Sequence, residues 1–122
     1  MTDSAISTIK VLIHSSPGFG NFELLQAKVN LYLKELANEN AIQLTVIEKN
    51  AACQMASRYA VNNKMGLTVY SRKNMGVSQF ISHIASDVDM ALLFWDGKSG
   101  AGRNLIRLCA EYGVKYRVFN YI

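Results

Sequence analysis

The sequence has no apolar run long enough to cross a bilayer: the longest, Met90–Trp95, covers only six residues. Its opening, "MTDSAISTIK", carries Asp3 and lacks a basic stretch leading into a long apolar one, so it is not expected to be a secretory signal. Cysteine is scarce. Cys53 and Cys109 each fall inside a predicted helix with no histidine or cysteine cluster beside them, which argues against a metal site. They read as free core thiols of a reducing compartment, and the expected location is cytoplasmic. No nucleophile–base pair stands out, because neither cysteine has an adjacent histidine and the acids form no obvious pair. Internal repeats, low-complexity stretches and linkers are also missing. The 122 residues therefore read as one domain, 1–122, with enough chain for a real core. No metal or cofactor is expected, and an enzyme is the lesser expectation.

What is present is an ordinary globular balance, 50% apolar and 18% charged. The net charge of +4 and pI near 9.2 suit an anionic partner. The basic residues are scattered instead of blocked, so nucleic acid is a weaker candidate than a phosphate-bearing small molecule.

Apolar runs alternate with helical patterns throughout. "TIKVLIH" (Thr8–His14) predicts a strand closed by "SSPGFG". Asn21 is a candidate N-cap for a helix whose stripe is Phe22, Leu25, Val29, Tyr32, Leu33 and Leu36. A strand over Ile42–Glu48 follows, then a helix that Asn50 can cap and that Gly66 is expected to end. Leu67–Ser71 predicts a short third strand, and Val77, Phe80, Ile81, Ile84, Ala85 and Val88 repeat at helical spacing. Met90–Trp95, without polar alternation, suits a central parallel strand covered on both faces. The last helix carries Leu105, Leu108, Cys109 and Tyr112 and stops at Gly113, before a strand over Tyr116–Phe119. The order βαβαβαβαβ predicts an α/β fold: a single doubly wound, Rossmann-like, five-stranded parallel sheet flanked by helices. Ligands in such folds lie beyond the carboxyl ends of the strands, where strand order reverses.

Three crossovers are candidate sites on that ground. The first is "DGKSGAGR". Gly97, Gly100 and Gly102 let the backbone approach an anion, Ser99 can bond a phosphate oxygen or cap the helix, Lys98 and Arg103 can add charge, and Asp96 can accept from a ribose hydroxyl. The spacing is not that of a Walker A loop, since Leu92 stands where that motif needs glycine, nor that of a standard dinucleotide fingerprint. The second is "HSSPGFGN", where Ser15, Ser16 and Gly18 offer hydroxyls and amides, with Asn50 of the next crossover counted beside them; Pro17-Gly18 also makes an ordinary turn. His14 can serve as a general base, although a lone histidine at a strand end is more often a satisfied structural residue. The third is "SRKNMG", where Arg72, Lys73 and Asn74 can reach over a pocket or simply face solvent.

"MALLFWDGKSGAGRNLIRLCAEYGVKYRVF" resembles the YspA-related branch of the SLOG superfamily, whose fourth strand runs into W-D-G-K-S-x-G-T and a helix. "FELLQAKVNLYLKEL" and "CQMASRYAVNNKMGLTVY" are similar to its first helix and to its second helix and third strand. The resemblance implies a Rossmann-like domain that binds or processes nucleotide-derived ligands, with Asp96, Gly97, Lys98, Ser99 and Gly100 on the motif and Ser15 and Ser16 on the first loop. The departures are specific. The glycine-rich second loop, G-G-A-R-G-A-D, is replaced by "IEKNAAC" (Ile47–Cys53), the family threonine by Ala101, and the P-G-G-x-G-T-x-x-E signature of its phosphoribohydrolases is absent.

The resulting expectation is binding, without turnover, of a nucleotide-derived small molecule such as a cyclic ADP-ribose-type immune signal. The protein would act as a sensor or a phage-type sponge. Two alternatives stand beside it: a nucleotide hydrolase using Asp96 or Glu48 as general acid/base, and a nucleic-acid-binding or structural module. A homo-oligomer is expected, with Tyr112, Tyr116 and Tyr121 as exposed contact residues.

Overall fold

The computed structural model describes residues 7–121. Nine elements alternate: β1 (Ser7–Ser15), α1 (Phe22–Glu39), β2 (Asn40–Ile47), α2 (Ala52–Asn62), β3 (Gly66–Tyr70), α3 (Val77–Asp87), β4 (Met90–Trp95), α4 (Gly100–Tyr112) and β5 (Lys115–Asn120). The strands form one all-parallel sheet in the order β3-β2-β1-β4-β5, as expected for a Rossmann-like α/β fold. Strand order reverses between β1 and β4, which lie side by side at its centre.

Side-chain alternation divides the core into two layers. Val11 and Ile13 of β1, Leu44 and Val46 of β2, and Leu92 and Phe94 of β4 face α1 and α2, where they meet Leu25, Val29, Leu33, Ala56 and Tyr59. Leu12, Ala91 and Leu93 face the other way and meet Phe80 and Ile84 of α3 and Leu105 and Cys109 of α4. Both faces of β4 are thus covered, which is why Met90–Trp95 shows no polar positions. No helix among the described residues is long and apolar enough to cross a membrane.

Local chemistry sets the element ends. Asn21 caps α1 by accepting from the Leu24 amide at 3.0 Å. Asn40 joins α1 to β2 without a loop: its backbone is extended while its amide donates to the Leu36 carbonyl at 3.1 Å. Gly113 sits in the left-handed region (φ 71°) just beyond α4, the position where glycine avoids the Cβ penalty. Gly66 corrects the sequence reading. It opens β3, and α2 is ended earlier by Asn63, whose amide donates to the Tyr59 carbonyl, and by Lys64 at φ 55°.

Of the three tyrosines expected at the surface, only Tyr112 is exposed. Tyr116 packs on the α3/α4 layer, and Tyr121, just past β5, packs on the opposite layer with its ring 4.8 Å from that of Phe19. One polar atom in the core is orphaned: Thr45 is 1% exposed and its hydroxyl has no partner. Thr45→Val removes that hydroxyl at nearly constant volume. We expect a gain of about 1–2 kcal/mol, read as a higher urea midpoint at unchanged m-value.

Candidate functional site

The turn between β4 and α4 is closed by its own side chains. The Asp96 carboxylate accepts from the backbone amides of Lys98 and Ser99, both at 2.8 Å. These donors, Ser99 first and then Lys98, hold its carboxyl below the usual range. An internal carboxylate therefore fills the cradle that the glycine-rich spacing suggested for a guest phosphate. The Trp95 indole donates to the Ser99 carbonyl at 3.0 Å and lies against Gly102, where an added Cβ would stand 2.5 Å from the ring. Gly102 is thus required by Trp95, a sufficient reason for glycine without any ligand. Gly97 takes φ 82°, and Gly100 opens α4 with free space above it.

The end of β1 is equally engaged. Ser16, 2% exposed, donates its amide to the Phe94 carbonyl (2.8 Å), accepts from the Asp96 amide (2.9 Å) and shares a hydroxyl–hydroxyl bond with Ser99 (2.7 Å). That triangle stitches β1 to β4 where the strand order reverses. Ser15, 1% exposed, is held by Asn50: the Asn50 side-chain oxygen accepts from the Ser15 and Ala52 amides, and its nitrogen donates to the Ser15 carbonyl at 2.9 Å. Gly18 lies in the following turn at φ 84°. Lys98, Arg103 and Asn74 are exposed or partly exposed and line no cavity described below.

The cleft lies beside this stitched region, toward β2 and β3. It measures about 700 Å³, a volume in the usual small-molecule range. Its floor is the carboxyl ends of β1, β2 and β3 with their loops: His14, Ile47 to Lys49, and Ser71 to Lys73. Val77, Phe80 and Ile81 of α3 give it an apolar wall, and Ala101 brings in the first turn of α4. The backbone amides of Gly100, Ala101 and Gly102 have no acceptor among the described residues, so the positive end of this helix dipole is open. Arg72 and Lys73 thus reach the cavity that the sequence placed near them; the other candidates border it or lie apart.

His14 is the informative residue. It is only 5% exposed, its ring makes no hydrogen bond to the described residues, and its nitrogens, not being fully buried, open on the cleft; burial of the rest of the ring pulls its pKa from 6.5 down to about 4. A neutral imidazole at the bottom of a cleft offers one N–H donor and one acceptor to whatever enters. The alternation of β1 sends it to the α3/α4 layer with Leu12, the signal by which sequence could have found it. The sequence reading named His14 as a possible general base and Ser71 only as the start of a candidate loop, and it did not single out Lys49, Val77, Phe80, Ile81 or Ala101 as cleft residues. Only the crossing of α3 over the sheet brings them together. Glu48, considered above as an acid/base, also lines the cleft and accepts a hydrogen bond from the Ser71 hydroxyl.

A second, smaller cleft of about 450 Å³ lies between α1 and the end of α2, where the Tyr59 hydroxyl donates to Asn30 at 2.6 Å. Among the described residues no cluster of histidine, cysteine and carboxylate side chains could hold a metal ion. No protein-family model matches the chain, and no curated protein matches it.

Proposed function

We propose that the protein binds a phosphate-bearing, nucleotide-derived small molecule in the α3/α4 cleft and releases it unchanged, in the manner of a SLOG-like sensing or sequestering domain. One observation carries this reading: a largely buried imidazole, its ring nitrogens open to the cleft, sits in a cavity of nucleotide size that also receives the open amino end of α4. Supporting it, Lys49, Arg72 and Lys73 surround the mouth and supply positive charge. The apolar wall of Val77, Phe80 and Ile81 suits the face of a base or another flat organic group.

A nucleotide panel should raise the melting temperature of the full chain, and His14→Leu should weaken the best binder about tenfold, the worth of one buried hydrogen bond. Chromatography of ligand recovered after incubation should return it intact; a cleaved product would favour hydrolysis with Glu48 as the acid/base. No shift across the panel would remove the proposal. Affinity for long DNA or RNA that falls steeply with salt would support a phosphate-backbone binder in its place.

A further inference from the structure

Positive groups approach the cleft from two places: the first turn of α4 after β4, and the loops after β2 and β3. In the order β3-β2-β1-β4, the ends of β3 and β4 are three strand intervals apart, about 14 Å at the usual spacing. A phosphate seated on the first turn of α4 therefore lies away from the backbone of the loop after β3. The geometry points to an elongated ligand with an anionic group at each end, one at the amino end of α4 beside His14 and the other at a lysine pair, Lys49 and Lys73. This rests on the reading that the cleft takes a phosphate-bearing molecule.

Three non-glycine residues among those described take positive φ, all of them lysines, and two of these, Lys49 and Lys73, line the cleft. Lys49 lies at φ 71° inside the turn that the Asn50 amide closes on the Ile47 carbonyl (3.0 Å). Lys73 lies at φ 52° inside the turn that the Met75 amide closes on the Arg72 carbonyl (3.0 Å). Tight turns normally give such positions to glycine or asparagine, because a side chain there is strained. The chain holds lysine at both, and neither ammonium has a hydrogen-bond or ion-pair partner among the described residues; the ion pairs there are Lys10–Asp87 and Arg107–Glu111. The fold gains nothing from these two side chains, and both line the cleft. Glu48 lines the same cleft and accepts from the Ser71 hydroxyl, but forms no ion pair with either lysine. Two such unpaired lysines on neighbouring loops of one cavity place positive charge where a second anionic end can meet it.

Titration calorimetry of the full chain with N6-(2-hydroxyethyl)adenosine 5′-monophosphate and with its N6-(2-phosphooxyethyl) counterpart, a bisphosphate whose anionic groups stand at opposite ends of the nucleotide, tests this. The bisphosphate should bind about tenfold more tightly, the increment expected of an added charge-assisted contact. In a Lys49→Gly, Lys73→Gly double variant the ratio should fall below roughly threefold while the melting temperature rises by about 3 °C, since glycine relieves the strain. Lys64, at φ 55° behind α2 and outside the cleft, is the control: Lys64→Gly should raise the melting temperature and leave the ratio intact. Equal affinity of the parent protein for both probes, or an unchanged ratio in the double variant, overturns the two-ended ligand while monophosphate binding keeps the cleft as a site. Binding of neither probe overturns both.

Discussion

Acidification from pH 7 to pH 4 should cost the native protein about 3 kcal/mol through His14 alone. The folded protein holds this imidazole neutral down to about pH 4, whereas the unfolded chain protonates it near 6.5. Between those values the unfolded state binds more protons, so stability falls as the pH falls, and the loss is complete once the folded form also protonates. Urea unfolding at half-unit pH steps should show this slope, and His14→Gln should flatten it. A second loss, at lower pH, belongs to Asp87 and Asp96. Asp87 is held below its usual value by the Tyr70 hydroxyl and then Lys10, and Asp96 by the Ser99 and Lys98 amides. Their contribution is present above the unfolded carboxyl value of about 3.9 and disappears as the pH drops through the folded ones. The two windows do not overlap, so the variant isolates the histidine. A parent protein equally stable at pH 6.5 and pH 4 would show that the ring is solvated or partnered.

Replacing Asn50 by alanine should be the most damaging single change outside the apolar core, at about 3 kcal/mol. The β1–β2 ladder ends at Leu12 and Thr45, and the Asn50 amide then takes over as the partner of Ser15, both donating and accepting. The same oxygen accepts from the Ala52 amide and so starts α2, whose N-cap residue, Ala51, has no capping side chain. Removing it leaves buried Ser15 backbone groups unpaired next to His14. The urea midpoint should drop with the m-value unchanged, and nucleotide-induced stabilisation should shrink as His14 loses its fixed neighbour. A loss below about 1 kcal/mol would mean that water substitutes for the amide.

The fold was legible because each strand has its own apolar signature. Met90–Trp95 and Gly113 fell where expected, and Asn21 capped as its residue type predicts. Asn50 was read as a cap for α2, but its link to Ser15 lies 35 residues away in sequence and depends on β1 and β2 being neighbours. The glycine-rich turn was legible as a turn but not in its role. Sequence cannot show that Asp96 satisfies two of the turn's amides, nor that Gly102 makes room for Trp95. The cleft was least legible. Its wall comes from α3, which returns the chain from β3 at the sheet edge to β4 past β2 and β1, and its lysines are distinguished by backbone angles that carry no composition signal.

The start of α3 has a consequence for how occupancy would be reported. Gly76 supplies no side-chain oxygen to the first turn, so the amides of Val77, Ser78 and Gln79 are secured by nothing among the described residues. That turn is an edge of the cavity that opens at low cost, and its hydrogens should exchange with solvent sooner than those of the central strands. A guest pressed against Val77 would slow that exchange, making this loose stretch of wall a natural gauge of whether the chamber is full.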